Sequence, residues 1–131
     1  MRAIIVSVNE GEVREIKRVD VDDIVEFVKN LAVRALKKWD ANSDFVVMSD
    51  TYTVILEIPL KEEEFINLKR YNLRRKGSLA VADIPVYGIS CRNRWTEKGI
   101  EILELILIAP SISNRVDNEL IEYAREMARL D

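Results

Sequence analysis

The sequence predicts an α+β protein with a mainly antiparallel sheet of about six or seven strands, a mixed sheet being the alternative, and three helices. Extended segments rich in Ile, Val and Leu predict the strands. Apolar residues at three- and four-residue spacing predict the helices. The segments follow the order ββα ββα βββ α, and strands that neighbour each other in sequence favour antiparallel pairing. We therefore expect the helices to pack on one face of the sheet.

The most apolar run, Gly99–Pro110, predicts the central strand of this sheet. Regular alternation would separate its side chains into two sets. Leu103, Leu105 and Leu107 would lie on one side, and Ile102, Glu104, Ile106 and Ile108 on the other. Glu101 and Glu104 are three residues apart, so a regular strand would point them to opposite faces. A carboxylate that faces inward needs a cation beside it. Arg92 or Arg94 could supply that charge.

The first third of the chain predicts a hairpin followed by the longest helix. Arg2–Val8 and Val13–Val19 have the composition of strands. Gly11 lies in the turn between them, where it is free to adopt a positive φ. Asp20 can cap a helix that runs from Val21 to about Trp39, with Trp39 at the edge of the core.

The remaining elements are predicted from shorter patterns. They are strands at Phe45–Met48, Thr51–Ile58, Ser78–Asp83 and Val86–Cys91, a helix from Lys61 to about Asn72, a polar turn from Arg92 to Lys98, and a last helix beginning at Asn114. Pro85 is expected to separate two strands, because proline cannot donate to a hydrogen-bonded ladder. The second helix is expected to bury an apolar stripe formed by Leu60, Phe65, Leu68 and Tyr71.

Length and composition predict one globular domain, residues 1–131. Hydrophobic residues make up 48% and charged residues 33%, which is typical of a globular chain. The net charge of -3 is too small to indicate a nucleic-acid binder by itself. A single cysteine, a start without signal-peptide character, and apolar runs far short of the ~20 residues of a membrane helix favour a cytoplasmic protein without a membrane partner.

Two absences limit the chemistry. The chain contains no His, which is the commonest general acid–base and transition-metal ligand in proteins. It also lacks Gln, and it has few Cys and Met beside many charges, a composition typical of heat-adapted proteins, although eight Asn argue against that interpretation. No phosphate-binding glycine loop, nucleophile elbow or paired-cysteine spacing occurs. The sequence therefore predicts no catalytic residue, no metal and no cofactor, and it favours a protein that is not an enzyme.

Two features resemble sites but have simpler interpretations. Cys91 could act as a nucleophile if neighbouring Arg92 and Arg94 lowered its pKa, but a structural strand residue is favoured. The carboxylates of Glu62–Glu64 could bind Mg²⁺ or Ca²⁺. Consecutive helical residues point about 100° apart, however, so the three cannot converge on one ion. We interpret them as a charged first helical turn.

The strongest regional signal is the positive charge of residues 69–98. This segment has eight cations and two carboxylates, a net charge of +6, which leaves -9 for the rest of the chain. Aromatic residues lie among the cations, as phosphate neutralisation and base stacking require. The predicted nucleic-acid or anion-binding residues are Lys69, Arg70, Arg74, Arg75, Lys76, Arg92, Arg94 and Trp95. We expect Arg92 and Arg94 to lie across from Arg74–Lys76. The alternative is a solvated basic helix end that pairs with the protein's own acidic surface.

Three functions are compatible with these patterns. The predicted one is a non-catalytic binding module for an anionic partner, nucleic acid first among them, that uses the basic and aromatic surface of residues 69–98. The first alternative is a homo-oligomer, most simply a homodimer, or a protein-interaction protein that covers an exposed face of the Gly99–Pro110 strand. The second alternative is a small His-free enzyme using Glu101, Glu104 or Cys91.

Overall fold

The computed structural model describes residues 1–38, 46–57 and 59–129, and these build an antiparallel sheet with three helices. The α+β class is therefore confirmed. The strands are β1 Arg2–Asn9, β2 Glu12–Asp20, β3 Val46–Glu57, β4 Arg74–Lys76, β5 Leu79–Thr96 and β6 Gly99–Pro110, and the helices are α1 Ile24–Lys38, α2 Glu62–Leu68 and α3 Asn114–Ala128. The predictions for Trp39, for the turn at 40–44 and for Phe45 lie outside the described residues.

The strand β6 lies at the centre of the sheet, as its apolar sequence predicts. The strand order is β2-β1-β6-β5-β3, with β4 paired to β5 beside this path. Leu107 of β6 pairs with Val6 of β1 on one side and with Gly88 of β5 on the other. All the pairings are antiparallel.

Helices cover both faces of the sheet, so the expectation that they share one face is wrong. Leu105 and Leu107 belong to a large core cluster with α3 and with Leu68 of α2. Ile108, the next residue along β6, packs in a second cluster with Ile24 and Val28 of α1. Because side chains alternate along a strand, each face of β6 presents an apolar row, and each row needs its own cover.

The β1–β2 hairpin forms as predicted. Its two turn residues, Glu10 and Gly11, have φ values of 53° and 77°. Two consecutive positive φ values match the type I′ turn, whose twist suits a two-residue hairpin. Asp20, however, ends β2 and does not cap α1. Asp23 does so, because its Oδ1 accepts hydrogen bonds from the backbone N–H groups of Val25 at 2.9 Å and Glu26 at 3.3 Å.

The strand β5 runs without interruption through Pro85, where the sequence predicts a break. Along residues 79–90 one side of β5 pairs with β3. On the other side β4 pairs with residues 79–81, and pairing with β6 begins at Tyr87. No described strand pairs with residues 82–86 on that second side. A proline is tolerated in a strand where one side has no ladder to complete.

Two irregularities between β5 and β6 change which residues share a face. The register shifts between Ser90 and Arg92 and again between Arg92 and Asn93, so that each strand carries one extra residue. Arg92 is then opposite Glu104, and Arg94 is opposite Glu101. Both carboxylates thus lie on the same face, and the expectation of opposite faces is wrong. Ile102, also past the bulge, packs against the cluster under α3.

The helix α3 is attached to the sheet through a buried acidic residue in its first turn. Ser113 caps the helix by accepting a hydrogen bond from the N–H of Val116. Asp117 is only 1% exposed. Its Oδ2 accepts hydrogen bonds from Arg18 Nε at 3.0 Å and from Ser111 Oγ at 2.9 Å. This group links α3 to β2 and to the segment that follows β6.

Within the described ranges, none of the helices has the length and apolar character needed to cross a membrane.

Candidate anion-binding surface

Seven of the eight predicted binding residues form two groups at opposite ends of β5, and Arg70 lies apart from both, in a pocket where β1 begins and β6 ends. Arg75 of β4 pairs with Ala80 near the beginning of β5. Arg92 lies on the same strand near its end, paired with Glu104. At ~3.3 Å per residue, roughly 40 Å of strand separates Ala80 from Arg92. The expected arrangement, in which Arg92 and Arg94 lie across from Arg74–Lys76, therefore does not occur.

The group at the far end of β5 is partly neutralised within the chain. Arg94 donates to Glu101 Oε2 from Nη2 at 2.5 Å and from Nε at 2.9 Å. The predicted link between a β6 carboxylate and a neighbouring arginine is thus present, although both side chains remain well exposed. Arg92 and Arg94 belong to a strand and not to the predicted polar turn, which is confined to Glu97 and Lys98. The side chains of Trp95 and Cys91 lie outside what the structure describes.

Arg74 in the first group is also committed to an internal partner. Its Nη1 donates to Asp83 Oδ2 at 2.7 Å and its Nη2 to Asp83 Oδ1 at 3.3 Å. Thr53 Oγ1 donates to the same carboxylate at 3.0 Å. Hydrogen bonds from Arg74 and then Thr53 to the charged form lower the pKa of Asp83 from 3.8 to about 2. Arg74 therefore fixes β4 to β5, and less of its charge is available to a ligand.

Arg75 and Lys76 carry the available charge of β4. Both side chains are exposed, and in the described part of the chain neither forms an ion pair with a carboxylate. Gly77, with a φ of 64°, makes the turn that sends the chain from β4 into β5. This short hairpin holds the two cations at the edge of the sheet beside α2.

A groove of about 540 Å³ lies between α2 and β4, and we call it the Phe65 groove. Its lining includes the apolar side chains of Leu60, Phe65, Leu73 and Ala80, the cations Arg74 and Arg75, and the carboxylate of Glu62. Phe65 is 40% exposed, and the ammonium group of Lys69 lies 5.6 Å from the centre of its ring. The groove thus combines an accessible aromatic ring with cations from α2's end and from β4.

The sequence does not reveal the role of Phe65. Helical spacing assigns it to the buried stripe of α2 together with Leu68, but only Leu68 is fully buried. The helix ends at Leu68, and the 3₁₀ turn Lys69–Tyr71 follows. A helix of seven residues makes too few turns for its periodicity to fix the buried side, so no pattern in the sequence separates the two residues.

In the described part of the chain, no group of three or more acidic or cysteine side chains is placed to hold a metal ion. Glu62, Glu63 and Glu64 form the first turn of α2, as interpreted from the sequence.

These features define an α+β protein built on an antiparallel sheet, with a basic and aromatic groove beside a short helix. A family model described as "Uncharacterized protein conserved in archaea (DUF2286)" matches residues 2–129. The chain belongs to that family. Neither a curated protein nor a solved structure matches it.

Proposed function

We propose that this protein is a non-catalytic, cytoplasmic binding module, acting as one domain, for an anionic partner, and that single-stranded nucleic acid is that partner. The observation that carries the proposal is the Phe65 groove. Arg75 supplies unpaired positive charge in the same groove as an exposed aromatic ring, and Lys76, also exposed and unpaired among the described residues, follows it on β4. A nucleic-acid strand offers phosphates to such cations and a flat base to such a ring.

In this proposal each residue has a distinct role. Arg75 and Lys76 contact phosphates, while Phe65 provides a stacking surface for a base. Lys69, already over the ring, adds charge at the same place. Arg74 positions β4 through Asp83 and contributes less directly. The arginines at the far end of β5 lie too distant to contact the same short segment of a strand.

Charge reversal at β4 tests this role. We expect the double variant Arg75→Glu, Lys76→Glu to bind single-stranded oligonucleotides at least about tenfold more weakly at low salt. Loss of two phosphate contacts should also flatten the salt dependence of log K by ~1.4, since each contact contributes about 0.7 for single strands. Fluorescence anisotropy at two or more salt concentrations measures both quantities. In the same assay, Phe65→Ala should cost about 1–3 kcal/mol of binding free energy if a base stacks there.

A matched control reverses two exposed cations elsewhere, Lys29→Glu and Arg34→Glu on α1, with the same change in net charge. This variant should retain most of the affinity. Equal losses of affinity in the two double variants would mean that the change in net charge alone explains the weaker binding, and would contradict a site at the groove. Absence of binding to single- and double-stranded oligonucleotides at low salt would overturn the proposal.

The outer edge of β3 favours a homodimer as a second candidate function. No described strand pairs with that edge, and the 12-residue strand contains neither Lys nor Pro, the residues that commonly protect sheet edges. Val47 and Ile55 on it are 46% and 57% exposed. An antiparallel pair of β3 strands from two copies would satisfy both edges across a two-fold axis. The face of β6 that suggested an oligomer from the sequence is instead covered within the chain.

Light scattering distinguishes the monomer from the homodimer. The dimer would have twice the chain mass of 15.2 kDa, and Val47→Lys with Ile55→Lys should restore the monomer. The same substitution pair on the exposed surface of α1, Val25→Lys with Val33→Lys, should leave a dimer intact. A mass of 15.2 kDa at every concentration would exclude this candidate.

A further inference from the structure

A second pocket lies where β1 begins and β6 ends, next to the 3₁₀ turn Lys69–Tyr71. It has a volume of about 320 Å³. Arg2, Asn67, Arg70, Tyr71 and Ser111 bring polar groups to it, and Pro110 is among its apolar lining residues. We call it the Arg2–Arg70 pocket. It shares no lining residue with the Phe65 groove, so it is a separate site.

The pocket concentrates positive charge without a compensating carboxylate. Arg2 and Arg70 come from distant parts of the sequence, and no acidic residue lines the pocket with them. Within the part of the chain that the structure describes, neither arginine forms an ion pair. Two carboxylates lie outside the lining. Asp20 is opposite Arg2 in the β1–β2 pairing, but its carboxylate forms no ion pair with Arg2. Asp117, which Ser111 contacts at 2.9 Å, is neutralised by Arg18 at 3.0 Å.

Neutral donors accompany the two guanidinium groups. The Asn67 amide and the Tyr71 hydroxyl make no hydrogen bond to other described side chains or backbone. Burial raises the pKa of Tyr71, and the positive charge of nearby Arg70 opposes that rise. The Tyr71 hydroxyl therefore stays protonated at neutral pH and can donate to a ligand. Two guanidinium groups and two neutral donors therefore belong to residues that line one small pocket.

The charge and size of the pocket select a class of ligand. A phosphate monoester carries about -1.5 to -2 charges at neutral pH and three acceptor oxygens. This matches two unpaired arginines better than a carboxylate does, since one arginine suffices to hold a carboxylate in bidentate fashion. The volume is near the lower end of the ~300–1,000 Å³ typical of ligand pockets, so little more than the phosphate and a small attached group can enter.

We infer that the Arg2–Arg70 pocket binds a terminal phosphate monoester, with Arg2 and Arg70 on the phosphate oxygens and Asn67 and Tyr71 as further donors. The phosphate can belong to a small phosphorylated molecule or to the phosphorylated end of a nucleic-acid strand. The chemistry recognised is the same in both cases. This inference uses residues outside the Phe65 groove and does not depend on the proposed function.

The test uses the full chain with AMP, adenosine and inorganic phosphate as probes, followed by amide NMR spectroscopy and calorimetry. AMP and inorganic phosphate should bind saturably and shift amide signals of residues 67–71 and of Ser111 and Ile112, whereas adenosine should not. Arg2→Gln and Arg70→Gln should each weaken AMP binding at least about tenfold, since each removes charge-assisted hydrogen bonds. Tyr71→Phe should weaken it by a smaller factor.

The matched control is Arg34→Gln, which removes an exposed arginine of α1 that lines neither the Arg2–Arg70 pocket nor the Phe65 groove, and it should leave AMP binding unchanged. The source of the phosphate is distinguished with one oligonucleotide, prepared with a 5′-phosphate or a 5′-hydroxyl group. A preference for the phosphorylated form that disappears in Arg2→Gln assigns the pocket to strand ends, and AMP binding without that preference assigns it to small molecules. AMP binding also stands if oligonucleotides fail to bind, so the two proposals fail separately. No saturable binding of AMP or phosphate, or equal loss in Arg34→Gln, would overturn the inference.

Discussion

Replacing Arg18 with Met is expected to lower the free energy of unfolding by about 3 kcal/mol, because the change leaves a buried carboxylate without its cation. Asp117 is 1% exposed, and Arg18 Nε donates to its Oδ2 at 3.0 Å. Its Oδ1 is buried and has no hydrogen-bond partner among the described residues. After the substitution, the hydroxyl of Ser111 would be the remaining side-chain donor to this charge.

The opposite substitution, Asp117→Asn, should cost only about 1 kcal/mol, since the Arg18 side chain is 46% exposed and can return to water. Combining Arg18→Met with Asp117→Asn should then give a protein more stable than Arg18→Met alone. Urea unfolding of the three variants measures this coupling. Strictly additive losses would show that the pair is not energetically linked, and an equal cost for the two single variants would contradict the expected asymmetry between them.

Truncating Leu107 to Ala is expected to lower the free energy of unfolding by about 3 kcal/mol. Leu107 is fully buried, and it lies on the central strand between Val6 and Gly88. Strands flank it on both sides and the large cluster under α3 covers it, so the backbone has little freedom to close the cavity. The Met48 side chain lies over Gly88 and is the neighbour best able to fill part of that space.

Ile66→Ala is the control for this substitution, because Ile66 is 59% exposed on α2. Its effect should remain within about 0.5 kcal/mol. Urea unfolding measures the loss of stability in Leu107→Ala and in Ile66→Ala, and the dependence of the free energy of unfolding on urea concentration should be unchanged in both. A loss at Leu107 no larger than that at Ile66 would contradict the central position of β6 in the core.

Local sequence signals predict those elements that local interactions decide. Gly11 identifies the first hairpin, because few other residues accept its φ of 77°. Apolar spacing finds α1, although its beginning is displaced from Asp20 to the capping residue Asp23. The run Gly99–Pro110 identifies the central strand, because consecutive apolar side chains are typical of a strand that is covered on both faces.

The errors in the fold arise where a residue's environment depends on distant strands. A proline would interrupt a strand that is paired on both sides, so the break predicted at Pro85 would be right for such a strand. In β5, Pro85 lies between the segments that pair with β4 and with β6, where no backbone N–H is needed on that side. The extra residue at Leu103 inverts the alternation that places Glu101 and Glu104. A bulge carries no composition strong enough to be recognised from one sequence.

The site was harder to predict because closeness in sequence does not mean closeness in space along an extended strand. Residues 69–98 look like one basic segment, but the 18 residues of β5 divide it into two groups. The converse also occurs, since Arg2 and Arg70 are far apart in sequence and line one pocket. Net charge per segment is therefore informative about a compact element, and it misleads when the element is a long strand.

The position of β6 late in the chain has a consequence for the order of folding. Ala3 of β1 pairs with Pro110 of β6, so the second edge of the first strand is satisfied only when the last described strand has formed. Until then the β1–β2 hairpin has no sheet beside it, and an isolated hairpin is marginally stable in water. Closing so large a loop is slow, because its entropy is lost before the contacts form. The amino-terminal hairpin should therefore become stable only when the carboxyl-terminal third of the chain has joined it, which makes the sheet assemble as one cooperative unit.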